Sequence, residues 1–287
     1  MALWIKITLI VALSAGIGTT LATQLGSASW NRSNSRLVQS LRRKSTVQKD
    51  SVFAYGELDS LPSPVSRYFR YALTEGQRLI RSASFTQTGQ FLVQEATGRW
   101  GPFSAKQVFS VEPPGFIWDA AIRMAPLLNV RVRDAYVDGE GSMLGKIASL
   151  ILVMKEEGKK ELSTAALQRY LAEVVWFPTA LLPSHGITWA PIDEERAIAT
   201  LIDQGIEASL EFHFAPDGRI TGVFSSGRYR EVNGGYELTP WAGYFTNYQE
   251  RSGMMIPTEG EVEWHLQEGR LPYWKGKILN AHYEFNE

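Results

Sequence analysis

Ile206-Glu-Ala-Ser-Leu-Glu-Phe-His-Phe-Ala-Pro-Asp-Gly-Arg219 is the stretch on which the reading of this chain turns. Ile206, Ala208, Leu210, Phe212 and Phe214 alternate with Glu207, Ser209, Glu211 and His213, the period of a strand with one buried and one wet face. Ala215-Pro-Asp-Gly218 follows with turn chemistry, so Arg219 to Arg228 is expected to return antiparallel as the second arm of a hairpin.

The same period recurs on both sides. Downstream, Val262, Trp264 and Leu266 oppose Glu261, Glu263 and His265, and Glu268-Gly269 turns the chain into Leu271 to Phe285. Upstream, Phe85, Gln87, Gly89, Phe91 and Val93 share one face. Arg99 to Val111 and Phe116 to Met124 are strand-length runs separated by Pro113-Pro-Gly115, and Leu128 to Val137 ends at Gly139 and Gly141. Met143 to Lys155 reads as a further strand or a short helix, and Ile187 to Ile192 and Arg196 to Asp203 as strands. About eleven strands in all predict an α+β, mainly β fold: a large curved antiparallel sheet, half-barrel-like, with two principal helices. Beyond roughly ten twisted strands such a sheet has to curl or close.

The first helix follows Leu61-Pro-Ser-Pro64, with Ser63 as cap, Pro64 at its first position and Val65, Tyr68, Phe69 and Ala72 as its apolar face. The second interrupts the strands at mid-chain, with Ser163 or Thr164 as candidate caps. Leu167, Tyr170, Leu171, Val174 and Val175 fall at i, i+3, i+4, i+7 and i+8, a single buried stripe. At Pro178 the pattern breaks, and Ala180, Leu181 and Leu182 follow without helical or strand period, so they must be buried or cover something apolar.

Composition bounds the function. With 287 residues, 44% hydrophobic and 21% charged, the chain is globular. Its net charge of -1 and the lack of a basic stripe interleaved with aromatics argue against nucleic acid as a partner. Cysteine is absent, which removes disulfides, thiol nucleophiles and thiolate-ligated zinc.

The chain divides into three parts: 1–26 as a transmembrane anchor or signal peptide, 27–60 as a basic, solvated linker, and 61–287 as one β-rich domain. Leu3 to Leu25 is apolar or small apart from Lys6, a few hydroxyls and Gln24, and reaches the roughly 20 residues of a membrane-spanning helix. Small residues around Leu21 to Thr23 or Ser27 to Ser29 also fit a signal-peptide cleavage site. Arg32, Arg36, Arg42, Arg43 and Lys44 follow the span, which by the positive-inside rule would leave the body in the cytoplasm. Cleavage, or a basic segment lying on anionic headgroups, is compatible with the membrane-associated, extracytoplasmic body expected here.

No catalytic constellation stands out. Four histidines without short spacing make no zinc motif, and GxSxG and GxxxxGK[ST] are absent, so no cofactor or metal is expected. Arg133, Asp134, Arg169 and Glu173 are the polar candidates. Along a strand Asp134 and Tyr136 share a face from which Arg133 points away, and Arg169 and Glu173 at i,i+4 read as an exposed helix pair. The aromatic surplus is the stronger signal. Trp100, Phe103, Trp118, Tyr136, Tyr170, Trp176, Phe177, Leu181 and Trp241 are the expected wall of an apolar concavity, with residues 176–182 as its lid.

The series Gly98-Arg-Trp-Gly-Pro-Phe-Ser-Ala-Lys-Gln107, Pro114-Gly-Phe-Ile-Trp-Asp-Ala120, Val132-Arg-Asp-Ala-Tyr136, Arg169-Tyr-Leu-Ala-Glu173, Trp176-Phe-Pro-Thr-Ala-Leu-Leu-Pro183 and Pro240-Trp241 resembles an uncharacterised bacterial domain family of unknown function, from about Leu61 to Phe285. More remotely, the strand order is similar to the outer-membrane lipoprotein carrier and related lipid-binding half-barrels. That resemblance implies a curved sheet with helices in its mouth, holding acyl chains. The leading expectation is therefore a membrane-associated binding or carrier module for a lipid or other apolar ligand. Two alternatives stand beside it: an enzyme acting on a lipid or glycan through Asp134, Glu173 or Tyr136, and a scaffold docking a partner protein through residues 176–183.

Overall fold

The computed structural model describes residues 2–44, 52–126 and 128–286, and of residues 2–20 and 44 the helical backbone alone. Among the described residues thirteen strands form one antiparallel sheet. The amino-terminal half runs β1 (Ile80–Gln94), β2 (Arg99–Ser110), β3 (Gly115–Ala125), β4 (Leu128–Val137), β5 (Glu140–Ile147) and β6 (Ile151–Glu157). The carboxy-terminal half runs β7 (Thr188–Pro191), β8 (Arg196–Asp203), β9 (Ile206–Phe214), β10 (Ile220–Val232), β11 (Gly235–Arg251), β12 (Met254–Leu266) and β13 (Gly269–Phe285).

Each half is a meander, and the two are joined where β1 pairs with β13, Phe85 opposite Ala281, leaving β6 and β7 as the edges. The expected hairpin is present as β9 and β10, with Phe214 opposite Ile220, and Ala208, Leu210, Phe212 and Phe214 buried. The two strands beyond the expected count have separate origins. Met143 to Lys155 is split into β5 and β6 by a turn at Ala148 and Ser149, both at positive φ, and β11 lies between β10 and β12 in a stretch without clean alternation.

Three helices accompany the sheet. In α2 (Ser63–Ala72), Val65, Tyr68, Phe69 and Ala72 are buried as expected, whereas the cap position belongs to Pro62 and Ser63 opens the helix. α3 (Lys160–Glu173) carries the chain from β6 across the inside of the sheet towards β7. It starts from Lys159 rather than from Ser163 or Thr164. The Ser163 hydroxyl instead accepts from the Gly141 backbone N–H at 2.9 Å, tying the start of β5 to the helix.

α1 (Ala2–Lys44) corrects the linker reading. Residues 27–44, expected as a solvated connector, continue the helix and lie on the outer face of β3 and β4. Trp30 is buried there and donates its indole N–H to Asp119 at 3.0 Å, and Leu41 packs with Ile117 and Ala135. The Arg131 and Arg133 guanidiniums stand over the Trp30 ring, 5.4 and 6.0 Å from its centroid. Two arginines of β4 thus hold the helix through Trp30, while the helix's own Arg32, Arg36, Arg42 and Arg43 are exposed. Among the described residues no helix is long and apolar enough to cross a membrane. The span read at Leu3 to Leu25 falls mostly on residues whose side chains lie outside those described.

Candidate functional site

Helix α3 is buried on both sides, and this sets up the site. Leu167, Tyr170, Leu171, Val174 and Val175 sink into the core, as their spacing predicts. The opposite stripe, Leu162, Ala165, Ala166, Arg169, Ala172 and Glu173, continued by Trp176, lines a cavity of about 540 Å³ between the helix and the inner face of the sheet. Small residues on this stripe leave the space open. Walls come from both halves of the sheet: Phe91 of β1, Trp118 of β3, Met143 of β5, Met154 of β6, Trp241 of β11, Trp264 of β12 and Trp274 of β13.

One end of the cavity is ionic. Arg169 donates from Nη1 to Asp134 Oδ2 at 2.5 Å and from Nε to Glu173 Oε1 at 2.9 Å, with its guanidinium 5.0 Å from the centroids of both Phe116 and Trp118. The pair expected to be exposed is therefore buried and shared with a strand. Burial opposes the Arg169 charge, and the two carboxylates outweigh it, holding its pKa above the ordinary guanidinium value. Burial also pushes the Glu173 carboxyl upward, against the pull of Arg169.

A chain of hydrogen bonds leads from this cluster into the sheet. Trp118 Nε1 donates to Gln87 Oε1 at 2.9 Å, Gln87 Nε2 to Gln107 Oε1 at 2.8 Å, and Gln107 Nε2 to Glu173 Oε2 at 2.7 Å. Indole can only donate and carboxylate can only accept, so both amide orientations are fixed by the ends of the chain.

At another part of the wall Arg228 lies over the rings of Trp241 and Trp264, 5.0 and 5.4 Å from their centroids, and donates to the Ala165 carbonyl at 3.1 Å. Arg228 Nε and the indole N–H groups of Trp176 and Trp274 are buried without a hydrogen-bond partner among the described residues. Sequence reasoning missed Arg228 and the methionines, whose signal was their place on strands, and it left Trp264 and Trp274 in the aromatic surplus without assigning them to the wall.

The expected wall is divided by the structure. Trp118, Trp176, Trp241, Asp134, Arg169 and Glu173 border the cavity. Phe103 stands behind it, edge-on to Trp118 and stacked on Trp274. Trp100 lies away from it with Lys275 over its ring, and Arg133 is on the outer face, bonded to Ser33 and Asn34 of α1. Tyr136 and Tyr170 are core. The Tyr136 hydroxyl donates to Asp203 at 2.7 Å, and burial together with this bond raises its pKa.

Residues 176–182 are not a lid. Phe177, Leu181 and Leu182 are fully buried, and the Phe177 ring packs 4.7 Å from that of Phe109 and near Phe85 and Tyr170. The Thr179 hydroxyl accepts from the Ile80 backbone N–H at 3.0 Å, and the Trp176 carbonyl accepts from the Tyr283 hydroxyl at 2.8 Å. Pro178 opens a short 3-10 turn whose four residues are all buried and plug the interior, and Pro183 opens a second turn that returns the chain to the surface, so residues 176–182 offer no surface for docking a partner.

Residues 59–283 match the family of unknown function DUF6920. The chain belongs to that family. The family carries no activity to transfer, and no curated protein matches the chain. Among solved structures the fold is similar to a LolA-superfamily protein from Nitrosomonas europaea, at 8% identity and a TM-score of 0.35 over 77% of this chain and 92% of that one. It is also similar to a β-barrel-like protein of DUF1849 from Brucella abortus, at 8% identity and a TM-score of 0.22 over 72% and 99%.

Proposed function

We propose that this DUF6920 chain binds an apolar, chain-like ligand, such as the acyl part of a lipid, in the cavity between α3 and the sheet. The observation that carries this reading is the cavity itself, about 540 Å³ and walled mostly by aromatic, aliphatic and methionine side chains, with charged residues at parts of its wall. Its size is in the range of roughly 300–1,000 Å³ that holds small-molecule ligands. Apolar wall atoms left without packed neighbours forgo dispersion contacts that an apolar ligand would restore.

The few polar groups suit orientation rather than chemistry. Asp134 and Glu173 are both held by Arg169, and Tyr136 is turned to Asp203 outside the cavity, so the carboxylate and phenol named for an enzyme do not converge on a free space. Arg228 Nε and the two indole N–H groups can receive the acceptor atoms of a ligand's polar end. Titration with a fluorescent fatty acid tests the reading. Saturable binding of one probe per chain, displaced by unlabelled lipid, is expected. Absence of saturable binding to a delipidated, folded protein overturns it.

A further inference from the structure

The turn between β5 and β6 breaks the rule that exposed tips are polar. Leu150, Ile151, Leu152 and Val153 are 40, 62, 54 and 51% exposed in succession, and Leu128 at the neighbouring start of β4 is 38% exposed. An apolar run on an edge strand invites self-association unless something covers it.

α1 passes beside this tip. Gly26 lies so close that a Cβ there would stand 2.6 Å from Leu150 Cδ2 and 2.9 Å from the Ser149 carbonyl, and Ser27 Oγ bonds Ser149 Oγ at 3.5 Å. Just before Gly26 on the same helix, Leu25 and Leu21 are exposed at 71 and 55%. The sequence continues in that direction as the apolar run back to Leu3. Two unrelated segments thus bring exposed apolar side chains to one place.

From this juxtaposition we infer that the β5–β6 tip and the adjoining stretch of α1 form a membrane-docking surface, with Leu150 to Val153 and Leu128 entering the headgroup and acyl boundary of a lipid bilayer. Three observations favour a bilayer over a protein partner. The patch is continuous with a helix whose preceding sequence is apolar for about the length of a bilayer core. Arg99 and Arg123, exposed near the adjoining ends of β2 and β3, place cations where anionic headgroups would lie. Val153 belongs to both surfaces: it is exposed at the tip and lines the cavity together with Met124 and Val130.

The shared rim gives the surface a further role, which rests on the apolar-ligand reading: an acyl chain would pass between bilayer and cavity across Val153 without entering water. Docking itself does not depend on what fills the cavity, so the two claims can fail separately.

The cysteine-free sequence makes the test direct. In the full chain reconstituted into vesicles of phosphatidylethanolamine and phosphatidylglycerol, Ile151→Cys carries one environment-sensitive fluorophore. Glu194→Cys, in the β7–β8 turn beside Arg67 of α2, serves as control. The label at 151 is expected to shift to the blue and to lose at least half its emission when the lipids carry spin-labelled acyl chains, while the label at 194 changes little. Equal quenching at both sites, or none at 151, overturns the proposal. Shielding at 151 that tracks protein concentration and ignores the spin-labelled lipid overturns it too, and assigns the edge to a second copy of the chain. Quenching at 151 in a protein that binds no fatty acid leaves the docking surface standing and removes the ligand.

Discussion

Arg169 carries the largest electrostatic consequence of any single side chain in the site. Its guanidinium pairs with both Asp134 and Glu173 and stacks beside Phe116 and Trp118. Arg169→Met keeps much of the side-chain volume and strands two buried carboxylates, a loss expected to cost about 3–5 kcal/mol of stability near neutral pH. The sign of its pH dependence follows from the same contacts. Burial already pushes the Glu173 carboxyl above its ordinary value, and without Arg169 the main opposing pull on it is gone. The variant should then be least impaired below the ordinary carboxylate range, and should lose stability as pH rises through the raised Glu173 value. Urea unfolding of both proteins between about pH 4 and pH 8 checks this. A penalty that stays constant across that range contradicts the account. This cluster was half legible. Asp134 facing away from Arg133 followed from strand alternation, and the i,i+4 pair followed from helix spacing. That the pair and the strand carboxylate meet required the path of α3 across the sheet, which no local period encodes.

α3 with its proline-bounded continuation is the element that organises the interior. Its core stripe was readable because large apolar residues repeat at helical spacing. The opposite stripe was present as well, Leu162, Ala165, Ala166, Arg169, Ala172, Glu173 and Trp176, but small and charged residues on that period resemble a solvent face unless the helix is known to be enclosed. The same gap explains the lid reading of residues 176–182. An aperiodic apolar segment serves as cover or as plug, and only the packing of Phe177 against Phe109, Phe85 and Tyr170 decides for the plug. Phe177→Ala is accordingly expected to destabilise the fold by about 3–5 kcal/mol, the cost of a large buried side chain lost without collapse of the site. Chemical denaturation measures it directly. A mobile lid would show less than about 0.5 kcal/mol, the range of ordinary surface changes.

In the whole molecule, two meanders meet at β1 and β13, α2 and α3 pack into one core with the sheet, and the cavity is the space left beside α3. The mainly β class and the antiparallel order were legible from alternation and turn residues. The curl and the docking of α1 were not, since they depend on contacts between residues far apart in sequence; for α1 these are a hundred or more positions apart, such as Ser27 with Ser149 and Arg133 with Ser33. If the cavity is a ligand site, filling it should remove binding without harming the fold. Ala166→Phe projects a ring into the space from α3, and its unfolding midpoint is expected to stay at or above that of the parent chain. The most direct measurement is mass spectrometry of an organic extract from the purified full chain, wild type beside Ala166→Phe. The account expects near-stoichiometric lipid or another apolar molecule from the wild type and a several-fold loss from the variant. Lipid recovered equally from both, or from neither, would contradict it.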